Sequence, residues 1–148
     1  MSRPSTTTIL AACAVLAATL VVGCSSPTGQ PLATRTVTVA GERWVVYEDP
    51  GEGMRGLPGF GTADGMLFDM GQEVDPRGIA FGMEGVGYPL DIAFFGADGM
   101  VVSVDTMAPC DAAPCPLYHA LDPYRWAIEA PVGAFGDLAP PDRLVVGD

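Results

Sequence analysis

Apolar residues along the chain fall into two kinds of run. Residues 9–22 are continuously apolar apart from Thr19, and everything after residue 34 is broken into short stretches rich in valine and phenylalanine, separated by glycine or proline. Short runs of this kind, alternating in part, predict strands rather than helices. The predicted strands are 35–39, 42–48, 65–70, 78–83, 90–95, 100–107, 124–130 and 143–146. With 19 glycines and 14 prolines, a long helix would be repeatedly interrupted, so only 53–57 and 133–138 are expected to form helical turns. Eight short strands point to an all-β sandwich or partly closed barrel. The firmest local expectation is a hairpin over 90–107, where Gly96-Ala97-Asp98-Gly99 separates two apolar runs and Gly99 supplies the positive φ of a tight turn. Ile92 and Phe94 should share one face and Ala93 and Phe95 the other. Both faces of this pair then read as covered, which places the hairpin centrally in its sheet.

The first run has a different meaning. It follows Met1-Ser2-Arg3, a positive start without an acid, and is shorter than the roughly 20 residues that a helix needs to cross the hydrocarbon core. It ends in Val21-Val22-Gly23-Cys24, which resembles the bacterial lipobox. That resemblance implies a signal peptide over 1–23, a diacylglycerol on Cys24, and a mature protein held outside the cytoplasm by a lipid anchor in the cell membrane. Residues 24–34, which include Ser25-Ser26-Pro27-Thr28-Gly29-Gln30-Pro31, have the composition of a flexible tether. A single β domain over 35–148 follows, a length that suits one hydrophobic core.

Charge narrows the partners. There are seven arginines, no lysine and 18 acids, for a formal net charge of −11. A surface this acidic excludes a nucleic-acid partner, because phosphate binding needs a basic face. Acidity of this kind serves solubility at an envelope surface or recognition of a cationic ligand or metal.

Candidate chemistry is sparse. Cys13 leaves with the signal peptide and Cys24 is lipidated, so Cys110 and Cys115 are the remaining thiols, and an oxidising compartment favours their pairing in one short disulfide. A thioredoxin-type redox pair would need two intervening residues at a helix start, and neither condition is met. A metal site would have to recruit His119, the one histidine, with Asp111 or Asp122, and nothing in the spacing selects either; no metal or cofactor is expected. Paired carboxylates for acid–base work would be Glu84 with Asp91, or Asp105 with Glu129. The plainer reading has Asp91 capping backbone amides or pairing with Arg55, and Glu129 facing solvent or pairing with Arg125 or Arg143. No serine nucleophile arrangement and no phosphate-cradling glycine loop is readable, so no catalytic residue is assigned.

From about Thr36 onward the chain resembles the bacterial and archaeal family called Domain of Unknown Function 192. The resemblance lies in Met54-Arg55-Gly56-Leu57, Gly65-Met66-Leu67-Phe68, Phe81 with Met83, and Pro89-Leu90-Asp91-Ile92-Ala93-Phe94. It continues through the Asp98-Gly99 turn, Met107-Ala108-Pro109-Cys110 with Pro114-Cys115-Pro116, and Ile128-Glu129 before Gly133. It implies a compact all-β fold of roughly jelly-roll type and no established reaction. One stretch departs from the family pattern, which commonly places an aromatic residue, methionine, lysine, asparagine and threonine before the proline. Here Gly82-Met83-Glu84-Gly85-Val86-Gly87-Tyr88 carries an acid and small residues instead. The glycines suit a loop that another molecule can approach closely. Ligand contact is therefore expected at Met83, Glu84 and Tyr88, with Asp91 and Arg55 behind them. The expected role is an envelope binding or structural module for an unidentified envelope ligand or protein; the alternative is a carboxylate-dependent enzyme on an envelope carbohydrate or peptide.

Overall fold

The computed structural model describes residues 31–147. The expected signal peptide, the Cys24 lipidation site and the tether up to residue 30 lie outside them.

The fold is all-β. Its strands are β1 (Thr34–Val39), β2 (Glu42–Glu48), β3 (Gly65–Val74), β4 (Phe81–Gly82), β5 (Leu90–Phe95), β6 (Val101–Met107), β7 (Leu117–Tyr118), β8 (Tyr124–Pro131) and β9 (Leu144–Val146). Seven of them form one sheet in the order β6-β5-β8-β3-β2-β1-β9, and β4 pairs with β7 in a separate two-stranded sheet. Neighbours are antiparallel except β2 and β3, which run parallel. The expected strand over 78–83 contracts to β4, and β7, too short to make a run, is an addition. The expected helical turns are hydrogen-bonded turns only: Leu57 N–H donates to the Met54 carbonyl, and Leu138 N–H to that of Phe135.

The large sheet is not closed into a barrel, but its two edges meet at one corner. Met100 bridges Arg143, and Leu144 N–H donates to the Gly99 carbonyl at 2.8 Å. Glycine is required at 99 twice over: its φ is +81°, and a Cβ there would collide with the Leu144 carbonyl oxygen.

Alternation gives the sheet two buried faces. Val37, Val39, Trp44, Val46, Leu67, Ala93, Phe95, Ile128 and Ala130 pack on one side with Phe135, whose ring stacks on Trp44 at 5.3 Å. On the other side Met66, Phe68, Leu90, Ile92, Phe94 and Ala127 are covered by Met54, Phe60, Phe81, Met83 and Val86. Phe81 packs edge-on against Phe68 and Phe94 at 5.1 and 5.5 Å, and each such ring, fully buried, contributes roughly 1.5–3 kcal/mol. Every residue of β5 is buried. Its hairpin partner β6 is nevertheless an edge strand, with Val104 38% exposed, so the hairpin expected to be central has only one interior strand.

Candidate functional site

Two carboxylates are buried among the described residues, Asp91 and Glu129. Directly paired residues in a sheet point to the same face. Asp91 pairs with Ala130, while Glu129 pairs with Ile92 on one side and Met66 on the other. The two acids therefore occupy opposite faces, Asp91 with Ala93 and Phe95, Glu129 with the layer that contains Met54 and Phe81.

Asp91 is fully engaged. Its Oδ1 accepts from the Thr106 hydroxyl at 2.6 Å and its Oδ2 from Gly133 N–H at 2.7 Å. It caps a backbone amide, as one reading of the sequence anticipated, and stands apart from Arg55 and Glu84.

Glu129 is 5% exposed; it lines a cleft rather than the outer surface and pairs with no arginine among the described residues. Arg125 meets Asp69 at 3.5 Å and lies over the Trp126 ring, and Arg143 Nη1 donates to the Asp98 carbonyl. Asp105, its other suggested partner, pairs with Ile92 from the far side of β5, two strand spacings or roughly 10 Å away. No hydrogen bond reaches the Glu129 carboxyl among the described residues. Burial, reinforced by the negative charge of Asp49, pushes its pKa from 4.5 up to about 7; an uncompensated buried carboxylate favours its protonated form.

The segment that follows β2 builds the rim above Glu129. Asp49 N–H donates to the Leu67 carbonyl, and Asp49 Oδ1 accepts from the amides of Gly51, Glu52 and Gly53 at 2.9, 3.1 and 2.8 Å. That Asx-type turn delivers buried Met54 and exposed Arg55. Opposite it, Arg55 Nε donates to the Glu84 carbonyl at 3.4 Å and Gly56 N–H to that of Gly85 at 3.3 Å. Gly85 has φ +76°, and a Cβ there would press on Arg55 Cγ at 3.0 Å; a larger residue would drive the two turns apart. Between them lies a cleft of about 310 Å³, with Met54, Phe68, Phe81 and Val86 as apolar walls, Asp49, Glu52, Arg55 and Glu84 as polar rim, and Glu129 at its base.

The residues expected to meet a ligand thus separate. Arg55 and Glu84 line this cleft. Met83 is 1% exposed and belongs to the core. Tyr88 is half-buried and donates its hydroxyl to the Leu57 carbonyl at 3.0 Å; burial and the nearby Glu129 charge push its pKa up. Asp91 is behind the sheet. Cys110 and Cys115 are joined in a disulfide with Cα atoms 5.7 Å apart, and a bridge from Glu84 to Cys110 seats that loop against the cleft wall. His119 is exposed, with Nδ1 3.0 Å from the Pro76 carbonyl. Sequence reasoning undervalued Glu129 and passed over Asp49. The signal for Glu129 was a lone acid within the apolar stretch Ala127-Ile128-Glu129-Ala130; for Asp49 it was an acid ahead of Pro-Gly-Glu-Gly, a composition that wraps a turn around a carboxylate.

A family described as DUF192, uncharacterized ACR, matches residues 35–145. No curated protein matches the chain. Among solved structures, a protein from Sinorhizobium meliloti 1021, carrying the suggested label of transcription regulator, superposes with a TM-score of 0.65 at 21% identity, over 80% of this chain and 98% of that one. A protein of unknown function from Novosphingobium aromaticivorans DSM 12444 superposes with a TM-score of 0.59 at 21% identity, over 82% of this chain and 89% of that one. At such identities the likeness is one of fold.

Proposed function

The chain belongs to the DUF192 family, and from that premise we propose that it is an exported, lipid-anchored binding protein whose ligand seat is the cleft over Glu129. One observation carries the reading: a carboxyl that is 5% exposed, without a hydrogen-bond partner among the described residues, stands at the base of an open cleft of about 310 Å³. The side-chain atoms sealed without a partner among the described residues are Tyr124 Oη and Trp126 Nε1; the Glu129 oxygens instead open onto the cleft, where they can meet an incoming partner. Arg55 and Glu84 join it as rim contacts, and Tyr88 supports the floor from the Leu57 side. The ligand would be a small envelope molecule or an exposed part of an envelope protein.

Binding is tested by thermal-shift titration of the wild-type protein and Glu129→Gln against small saccharides and peptides of the cell envelope. A compound that raises the wild-type midpoint but not that of the variant supports the seat; equal shifts in both, or none, argue against it. Anchoring rests on residues 1–24 and is tested separately. Cys24→Ala should abolish lipid labelling and normal processing, since a diacyl group supplies the two chains that stable anchoring needs; a labelled, anchored variant would end that part of the proposal.

A second reading has its own support. Glu129, with a pKa of about 7 and Asp49 as its charged neighbour, has the proton affinity of a general acid, which makes an envelope-directed hydrolase the alternative. In that reading the carboxylate pair is Glu129 with Asp49 rather than Glu84 with Asp91.

A further inference from the structure

The charge around the cleft narrows what it accepts. Asp49, Glu52 and Glu84 stand against Arg55 alone, so an anionic ligand would meet repulsion from three rim acids, and from Glu129 as well once it ionises. A metal ion finds no group of three or more acid, histidine or cysteine ligands suitably placed among the described residues. A neutral hydroxyl would satisfy Glu129 but leave the Asp49 charge beside it uncompensated.

We propose that the cleft takes a small ligand bearing a protonated primary amine, with the ammonium between the carboxyls of Glu129 and Asp49 and the remainder against Phe81 and Val86. The proposal rests on the cleft being a ligand seat. An ammonium is a compact charge with three donors. Asp49 keeps Oδ1 on the turn amides, and its Oδ2 has no partner among the described residues, so each acid has an oxygen to offer. The pocket lies at the small end of ligand-sized cavities, which suits an amino sugar or an amino alcohol.

The proposal carries a proton balance. Free Glu129 is protonated below about 7; seating an ammonium beside it ionises it, and the proton leaves to solvent as the ion pair forms. Asp49, Glu52, Glu84 and Arg55 on the rim and the Tyr88 phenol are the other titratable or charged groups facing it.

The test is a carbon-13 NMR titration of the full chain, in detergent, with glutamate carboxyls labelled. Glucosamine and ethanolamine are the amine probes and N-acetylglucosamine the uncharged control, at a pH just below Glu129's value of about 7. An amine should move the Glu129 carboxyl signal toward its ionised position and release up to one proton per molecule bound. Its affinity should climb by up to about tenfold per pH unit below that value, level off above it, and fall again once the amine itself loses its proton, sooner for glucosamine than for the more basic ethanolamine. Glu129→Gln should abolish this pH dependence. Asp49→Asn, which retains the turn-forming oxygen, should weaken binding without altering the folded spectrum elsewhere. Response to glucosamine alone identifies a carbohydrate source, and response to ethanolamine alone an amino-alcohol headgroup. If N-acetylglucosamine moves the cleft signals as strongly, the amine assignment fails while the ligand seat stands. Should an amine bind without proton release and equally well to Glu129→Gln, it binds elsewhere and the assignment also fails. If no probe moves a cleft signal, the amine assignment fails, while the seat itself stands or falls by the saccharide and peptide titration of wild type and Glu129→Gln.

Discussion

Asp91 and Glu129 lie on adjacent strands, one register step apart, 7% and 5% exposed. Their faces and their hydrogen bonds distinguish them. Asp91 holds the Thr106 hydroxyl and the Gly133 amide and thereby fastens the edge strand β6 and the turn after β8 to the sheet. Glu129, on the opposite face, holds nothing and opens onto a cleft. Burial of a charge-bearing group therefore identifies neither structure nor function by itself; what decides is whether its lone pairs are already committed. On this view Asp91 belongs to folding and Glu129 to recognition, and substitutions at the two positions should behave oppositely.

The largest effect is expected at Asp91. Alanine there removes two part-buried hydrogen bonds to a buried carboxylate, and the loss should be on the order of 3 kcal/mol, since bonds to a charged acceptor exceed neutral ones. Chemical denaturation should show a lower midpoint at every pH where the fold is stable, with Asp91→Asn intermediate. A variant as stable as wild type would break the contrast from its structural side.

Glu129→Gln should act with the opposite sign. Folded Glu129 keeps its proton up to about 7, whereas the unfolded group loses it near 4.5. Folding thus takes up a proton between those values, and the group's contribution to stability is intact below 4.5 and lost as pH rises through 7. Glutamine does not titrate, so the variant should lack that decline. Relative to wild type it should gain up to about 3 kcal/mol on going from below 4.5 to the alkaline side of 7. Parallel stability–pH curves for the two proteins would mean that Glu129 is ionised or solvated in the folded state, and the contrast with Asp91 would collapse.

A smaller effect sharpens the boundary between the two roles. Tyr88 donates to Leu57 while its phenol feels the Glu129 charge, so it belongs to the frame of the cleft rather than to its opening. Tyr88→Phe should lose about 1 kcal/mol, the net value of one partly buried hydrogen bond, and any bound ligand should still bind. Loss of binding with full stability would move Tyr88 from frame to contact surface.

Much of this arrangement was legible in the chain. The alternation of Ile92 and Phe94 against Ala93 and Phe95, and the Asp98-Gly99 turn, placed both faces of β5 correctly because side-chain direction in a strand has a strict period of two. The position of β6 at the sheet edge was not legible: Val101, Val102 and Val104 are as apolar as an interior strand, and which strand lacks a neighbour depends on the long connections. β7 escaped because two residues make no period. Asp91 and Glu129 were each named as candidates, yet Asp91 is bonded to Thr106 and Gly133, apart from Arg55 and Glu84 at the cleft, because membership of one strand-and-loop region does not fix which face of the sheet a residue takes. Glu84 and Tyr88 were grouped as one exposed loop for the same reason, although only Glu84 is exposed.

Glu84 tests the smallest effect and the cleanest separation. Its side chain is exposed, and its contacts to the fold run through the backbone: the carbonyl accepts from Arg55 Nε, and the strand segment bridges Cys110. Glu84→Gln keeps those backbone contacts and removes only a rim charge. Stability should stay within about 0.5 kcal/mol of wild type, because an exposed carboxylate has little to lose in water. Affinity for a cationic ligand should fall modestly, and the fall should shrink as salt is added, since rim charges act through screened, solvent-exposed fields. The Glu129 contribution, made in a buried setting, should be much less sensitive to salt. If salt instead suppresses both contributions equally, Glu129 is no more sheltered than Glu84, and the distinction between a buried, uncommitted acid and an ordinary surface one disappears.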